Sequence, residues 1–194
     1  MRSTHLPSVH RQGFSLVELL VVILIIAILM GLTVTGARYA MLKGYSSKTA
    51  IQLKVLETGL EKFQTDRMEY PNPSTEGSKV LYIALSGDGI TASDLPPNKP
   101  TYAGTPDGKI DNDNERKWST YIEELLAPGG NKSLQKWVDP TSGYKIKDGF
   151  GEEIQYRCNV PAQASQQNSS YDLWSYGTDT SSAKNQQAKW IKNW

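Results

Sequence analysis

The chain has one cysteine, Cys158, and two histidines, His5 and His10, both close to its start. A single cysteine cannot form an intramolecular disulfide, so packing must hold the fold together. A mature chain that began after residue 13 would contain no histidine at all. That absence excludes Ser-His-Asp triads, Cys-His dyads and histidine-ligated zinc or iron sites.

The sequence also lacks a surplus of either charge. It has 21 basic and 20 acidic residues, a formal net charge of +1, and losing Arg2 and Arg11 with residues 1–13 would leave 19 against 20, or −1. General nucleic-acid binders carry a basic surplus, so nucleic acid is not expected as a partner. No glycine-rich phosphate loop or other catalytic motif is visible, and we expect a protein that is not an enzyme.

What the sequence does contain is one long apolar run, from Phe14 to Ala37, in which Glu18 is the only charge. The run is long enough to span a bilayer, which needs about 20 apolar residues. The 194-residue chain therefore suits one soluble domain plus a membrane-spanning appendage. Basic residues before the run and none within it predict that residues 1–13 are cytoplasmic and that the chain after Ala37 is extracytoplasmic.

The start of the apolar run carries the most specific motif. It reads Gly13-Phe14-Ser15-Leu16-Val17-Glu18 and is followed by uncharged residues from Leu19 to Leu32. An ordinary signal peptide would place small residues at the far end of the run, where Ala37-Arg38-Tyr39-Ala40 fits poorly. The motif resembles the class III leader of type IV pilins and of the pseudopilins of type II secretion. This resemblance implies cleavage between Gly13 and Phe14 and N-methylation of Phe14, both by a prepilin peptidase.

Glu18 needs its own explanation, because an unpaired carboxylate at the centre of a bilayer costs about 2.5 to 3.5 kcal/mol. One interpretation is a side chain near the cytoplasmic interface that reaches water. The resemblance implies a different role, in which Glu18 pairs with the Phe14 amine of a neighbouring subunit and sets the axial register of a filament.

Beyond the span, Leu53, Leu56, Leu60 and Phe63 recur at helical spacing, which predicts an amphipathic continuation of the helix over residues 38–69. Pro71 predicts that this helix ends near Arg67 to Glu69. The poor helix formers between Gly31 and Gly36 suggest either a segment that stretches on assembly or a site of close helix contact.

The pattern of residues 70–194 predicts a soluble domain, and the fold class expected is α+β. In this fold the long N-terminal helix packs on a small C-terminal antiparallel β-sheet. Ser78 is predicted to cap a helix over Lys79 to Leu85, and Thr120 with Glu123 to form a capping box before Tyr121 to Leu126. Alternating patterns indicate two strands joined as a hairpin by the polar loop Ala162 to Ser170; the inward positions are Ile154, Tyr156, Cys158 and Val160, then Tyr171 and Leu173.

The order of landmarks in this domain resembles that of major pseudopilins. These landmarks are Tyr70-Pro71, the turn Asp148-Gly149-Phe150-Gly151, and the run from Tyr171 to Asp179. The segment from Ile90 to Lys117 is longer than the resemblance leads us to expect, and we interpret it as a loop insertion. Within it, Asp107 to Asp113 matches only the middle of a calcium loop, which favours a solvated loop.

The resemblance also implies calcium binding in the loop that begins at Gly177, Thr178 and Asp179. Asp179 is the sole acid from Gly177 to Trp194, whereas calcium takes six to eight oxygen ligands. We therefore expect no site or a weak one built on Asp179, with packing of Trp190 and Trp194 fixing the C-terminal segment.

The function implied is that of a structural subunit of a type II secretion pseudopilus; the alternative is a type IV pilin serving adhesion, twitching or DNA uptake. The implied partners are further copies of the chain, the prepilin peptidase, minor pseudopilins, the inner-membrane assembly platform and, before assembly, membrane lipid. The implied location is a single pass through the bacterial inner membrane, followed by a periplasmic filament.

Overall fold

The computed structural model of the chain describes residues 15–72, 77–126, 137–158, 168, 170–179, 181–182 and 184–194. The chain divides into two compact units, one ending at Met41 and the other running from Leu42 to Trp194. One helix, α1 (Leu16–Arg67), supplies residues to both units. It ends where Pro71 predicted, because a proline four residues further on cannot continue the helical hydrogen bonds.

The predicted apolar stripe of α1 forms one wall of the core of the second unit. Leu53, Leu56, Leu60 and Phe63 are all buried. Helix α2 (Gly77–Ser86) packs in the same core, and its residues from Ser78 to Ser86 are buried except Lys79, which is half-buried. The helical period predicted from the sequence is therefore confirmed, and burial of both helices supplies the main apolar surface of this unit.

The sheet portion is small and antiparallel, as predicted. Strands β1 (Val138–Asp139) and β2 (Lys145–Ile146) form a short ladder. Strands β3 (Gln155–Cys158), β4 (Tyr171–Ser175) and β5 (Ile191–Lys192) form a second sheet in that order. Tyr156 pairs with Leu173, which confirms the predicted hairpin; Val160 and most of its predicted loop lie outside the described residues.

Two predicted helix caps are wrong. Ser78 lies inside α2, and its hydroxyl donates to the Glu153 carboxylate in the bridge that follows β2. Thr120 donates instead to the carbonyl oxygen of Ser86, at 3.0 Å. The segment after it forms only a 3-10 turn, Glu123–Leu125, with no side-chain cap. In both cases a distant acceptor competes successfully with the local backbone.

The turn after β2 is fastened to α1 through Thr49. The Thr49 hydroxyl donates to the Tyr45 carbonyl oxygen and accepts from the Gly149 N–H, each at 2.9 Å. The Gln52 amide of the next turn donates to the Lys147 carbonyl oxygen at 3.1 Å. A side chain at Gly149 would collide with the Tyr45 carbonyl, so only glycine permits this approach.

Replacing this hydroxyl should measurably destabilise the second unit. Thr49→Val keeps the shape but leaves the part-buried Gly149 N–H without its acceptor, and we expect a loss of about 1 to 3 kcal/mol in the free energy of unfolding. Thr58→Val is the matched control. The exposed Thr58 hydroxyl also donates to the carbonyl oxygen four residues earlier in α1, that of Lys54. Denaturant unfolding of the full chain in detergent, followed by tryptophan fluorescence, measures both. Equal effects of the two substitutions would contradict the assignment.

The segment interpreted as an insertion, Ile90 to Lys117, contains a 3-10 turn (Ala92–Asp94) and the short helix α3 (Asp113–Lys117). Its irregular backbone is held by three buried carboxylates that accept backbone N–H groups. Asp88 accepts from Asp107 and Gly108, and Glu115 accepts from Gly89, Asp111 and Asn112. These acids satisfy amides that would otherwise be buried without partners. Asp107 is the first residue of the segment that matched part of a calcium loop. Its carboxylate accepts a hydrogen bond from the Lys109 N–H of its own turn.

Asp94, the third of these carboxylates, makes the stability of this segment depend on pH. Burial alone would raise its pKa, but the bonds from Thr91, Thr101 and Tyr102 outweigh burial and hold the pKa below its ordinary value. The charged form therefore stabilises the fold above about pH 4, and this contribution is lost as pH falls through the lowered folded-state pKa. We expect wild type to be more stable than Asp94→Asn at neutral pH and the difference to shrink below about pH 4. A difference that stays constant down to pH 2 in unfolding experiments would contradict this.

Candidate functional site

The candidate processing and assembly site lies at the start of α1. Gly13 and Phe14, the predicted cleavage pair, fall outside the described residues, which begin at Ser15. The Ser15 N–H donates to the Glu18 carboxylate at 2.9 Å, and the Glu18 N–H donates to the Ser15 hydroxyl at 3.3 Å. These reciprocal bonds are a capping box, which satisfies backbone donors that the first turn of a helix leaves free.

The capping box assigns Glu18 a role that the sequence analysis missed, although the Ser15-x-x-Glu18 spacing signals it. The carboxylate lies in the first turn of α1, where the partial positive charge of the helix N-terminus stabilises it. Only Oε2 accepts a bond from a described residue, so Oε1 has room for a further donor. The geometry thus allows Glu18 to cap its own helix and to bind an ammonium group at the same time.

The span that follows is helical throughout, including the segment from Gly31 to Gly36. Among the described residues, α1 is the one helix long and apolar enough to cross a membrane. The two hydroxyls in the weak segment are satisfied within the helix, Thr33 by the Leu29 carbonyl oxygen at 2.7 Å and Thr35 by that of Leu32 at 2.9 Å. Neither hydroxyl therefore requires water or a second helix, which suits a lipid environment.

The second candidate site, at Asp179, is occupied by donors from the protein itself. One carboxylate oxygen accepts from the N–H and hydroxyl of Ser181, and the other accepts from the Gln186 N–H at 2.8 Å and the Trp190 indole at 3.2 Å. Burial alone would raise the pKa of Asp179, but these bonds outweigh it and hold the pKa well below its ordinary value. The carboxylate is therefore an anchor for N–H groups in this structure.

This arrangement does not fit a resident calcium ion. Calcium needs several converging oxygens, whereas one oxygen of Asp179 accepts an N–H and an O–H group and the other accepts two N–H groups. In the parts of the chain that the structure describes, no group of three or more histidine, cysteine or acidic side chains is placed to hold a metal. A calcium ion would have to break the bonds that hold the loop.

We therefore expect the thermal midpoint of unfolding to differ by less than about 2 °C between calcium and a chelator, since a ligand that binds only the folded state must stabilise it. Asp179→Ala should lower the midpoint equally in both solutions, because its bonds to Ser181, Gln186 and Trp190 are lost in each. Differential scanning fluorimetry of the full chain in detergent measures this. A calcium-dependent rise that disappears in Asp179→Ala would overturn the expectation.

The C-terminal segment is fixed by packing, as predicted. Strand β5 pairs with the end of β4, so that Lys192 lies opposite Trp174. Trp190 stacks on Trp174 with ring centroids 6.2 Å apart, and Trp194 contacts the same ring edge-on at 5.8 Å. These contacts replace the disulfide that a chain with one cysteine cannot form.

Comparison with known families identifies the first part of the chain. The prokaryotic N-terminal methylation motif matches residues 9–34, a stretch that contains Gly13, Phe14 and Glu18. No curated protein and no solved structure matches the chain. The class III leader recognised from the sequence is thereby confirmed, and it is consistent with a type IV pilin-like protein.

Proposed function

We propose, from the methylation motif at residues 9–34, that this chain is a filament subunit of the pseudopilus of a type II secretion system. A prepilin peptidase removes residues 1–13 and methylates Phe14. The mature helix then anchors the subunit in the inner membrane and later forms the filament core. The observation that carries the proposal is the motif itself, joined to the one membrane-length apolar helix among the described residues, which has one carboxylate, Glu18, in its first turn.

The lack of a second cysteine is our reason for preferring a pseudopilin to a surface pilin. Many pilins close their C-terminal region with a disulfide, whereas this chain holds the same region through β5 and through Trp190 and Trp194 on Trp174. Asp179 ties the preceding loop to the same cluster through the Trp190 indole. The subunit therefore has a closed C-terminal region without cysteine pairing, in contrast to those pilins.

The proposed orientation places residues 1–13 in the cytoplasm and residues 70–194 in the periplasm. Charge counting alone does not determine it, because Arg38, Lys43 and Lys48 follow the span just as Arg2 and Arg11 precede it. The proposed cleavage after Gly13 supports this orientation, because the prepilin peptidase must reach residues 1–13 on the cytoplasmic side before the subunit assembles. A periplasm-specific reporter fused after Trp194 tests the orientation directly.

Deletion of the gene tests the function. A pseudopilin is required for export of folded proteins, so the deletion strain should retain them in the periplasm while surface fibres and twitching stay normal. Wild-type gene on a plasmid should restore export, and the same gene encoding Gly13→Val should not. Normal export together with loss of surface fibres would assign the chain to a type IV pilus instead, and neighbouring genes for a secretin or for a retraction ATPase would agree with the respective outcome.

A further inference from the structure

We infer that the second unit has a binding pocket for a peptide segment of a partner protein, in which Arg67 and Lys117 bind one carboxylate of that peptide. The pocket, here named the Arg67 pocket, is a cavity of about 500 Å³. It is lined by the end of α1, the loop of residues 96–100 and the segment of residues 117–121. A cavity of this volume accommodates a small ligand or a few residues of a peptide. The inference goes beyond the proposed function and does not depend on it.

Arg67 is held in the pocket by an aromatic ring. Its guanidinium carbon lies 3.8 Å from the centre of the Trp118 ring. Trp118 is itself fixed, because it is 4% exposed and its indole N–H donates to the Ala84 carbonyl oxygen at 2.9 Å. A guanidinium is attracted to the face of an aromatic ring, so Arg67 keeps its place without a carboxylate to hold it.

The hydrogen-bond donors of Arg67 are free for a ligand. The side chain is half-buried and lines the pocket. Among the described residues, none accepts a hydrogen bond from this guanidinium or forms an ion pair with it. A guanidinium has five N–H donors in a planar arrangement that matches the two oxygens of a carboxylate. A ligand carboxylate would therefore supply the acceptor that the protein does not provide.

Lys117, the last residue of α3, adds a second cation to the pocket lining. It is exposed, and no carboxylate in the described part of the chain pairs with it. The neighbouring Arg116 differs on both counts, because it lies 3.9 Å from an Asp113 carboxylate oxygen and outside the pocket lining. The Asn98 amide and the Ser119 hydroxyl also line the pocket, and groups of this kind bind the N–H and carbonyl groups of a peptide.

Two acids in the lining restrict the class of ligand. Asp66 and Glu69 line the same pocket, and a Glu69 carboxylate oxygen lies 3.9 Å from the Lys99 ammonium group. These carboxylates would repel a polyanion such as a nucleic acid, although they leave room for one negative group at Arg67. A peptide with one acidic side chain beside a basic residue complements both signs of charge. Pro96 and Pro100 offer an apolar wall for the side-chain methylene groups.

The test measures peptide binding through Trp118, which lies beneath Arg67. The full chain is labelled with 5-fluorotryptophan in non-ionic detergent and observed by fluorine NMR. Trp118→Phe identifies the Trp118 signal among those of the five tryptophans. The probe is acetyl-Ala-Glu-Lys-Ala-amide, and the control peptide has glutamine in place of glutamate. Titration of each peptide gives a Kd from the shift of the Trp118 signal.

The glutamate peptide should shift the Trp118 signal until it saturates, and the glutamine peptide should bind about tenfold more weakly or worse, because charge-assisted hydrogen bonds are lost. Arg67→Gln should raise the Kd of the glutamate peptide by about tenfold or more for the same reason. Lys117→Gln should raise it by about threefold, since an exposed ion pair contributes less. Arg116→Gln is the matched control and should leave the Kd unchanged.

Equal binding of the two peptides, or a Trp118 signal that neither peptide shifts, overturns the inference. Because Arg67→Gln also changes the surroundings of the label on Trp118, Lys117→Gln provides a second test at an exposed side chain. An unchanged Kd in Lys117→Gln, or an equal loss in Arg116→Gln, overturns the role of the two cations. A Trp118 signal that shifts with the concentration of the chain alone would place a second copy in the pocket and overturn the assignment to a partner protein.

Discussion

Gly13→Val should leave the chain at its unprocessed length when it is expressed together with a prepilin peptidase. A peptidase that cuts after this residue must bring its catalytic groups close to the backbone, which a glycine without a side chain permits. Valine places two methyl groups on the β-carbon at the site of attack and stiffens the chain there. We expect no mature band on a gel and no N-methylated Phe14 peptide by mass spectrometry.

Two controls define the cause. Gly13→Ala adds a single methyl group and should be cut slowly, so that both bands are seen. Gln12→Val places the same bulk one residue upstream and should be cut normally, since the resemblance assigns the requirement to Gly13. A mature band of wild-type intensity in Gly13→Val would refute the cleavage assignment, and a block in Gln12→Val as well would show that bulk anywhere in the leader is harmful.

Glu18→Val should give a subunit that is inserted and cleaved but assembles poorly. The proposed pair between Glu18 and the Phe14 amine of the next subunit is a charge-assisted hydrogen bond, worth about 1.5 to 3 kcal/mol. Its loss should weaken each subunit addition by about tenfold or more, and filaments contain many such additions. Filament yield in cells with intact assembly proteins, scored by electron microscopy and by sedimentation, measures the effect.

The capping box makes a sharper comparison possible, because Glu18 has two roles in the structure. Glu18→Gln retains the cap, since glutamine serves equally at this position, and removes only the charge. Ser15→Ala removes the cap and keeps the charge. If pairing between subunits is the role of Glu18, Glu18→Gln should assemble as poorly as Glu18→Val, and Ser15→Ala should assemble well. The reverse order would show that helix capping, and not pairing, explains the requirement.

Local sequence determined the parts of this protein that depend on neighbouring residues. The motif around Gly13 and Phe14 is contiguous, the span is a question of length and charge, and the end of α1 follows from Pro71. The α1 stripe follows from a period of 3.6 and strand β3 from a period of two. The expected alternation fails in β4, where every residue from Tyr171 to Ser175 is buried. Glu18 could be found for the same reason, since both its capping box and its place in the span are local.

The tertiary structure decided the contacts whose partners lie far apart in the chain. Thr49 accepts the Gly149 N–H across 100 residues, and Ser78 leaves its predicted cap for Glu153, 75 residues away. β5, only two residues long, exists because β4 offers a free edge. Asp179 could be named from sequence as an acid in a loop, but its ligands could not. A carboxylate accepts N–H groups and cations alike, and only the folded chain brought Ser181, Gln186 and Trp190 to it.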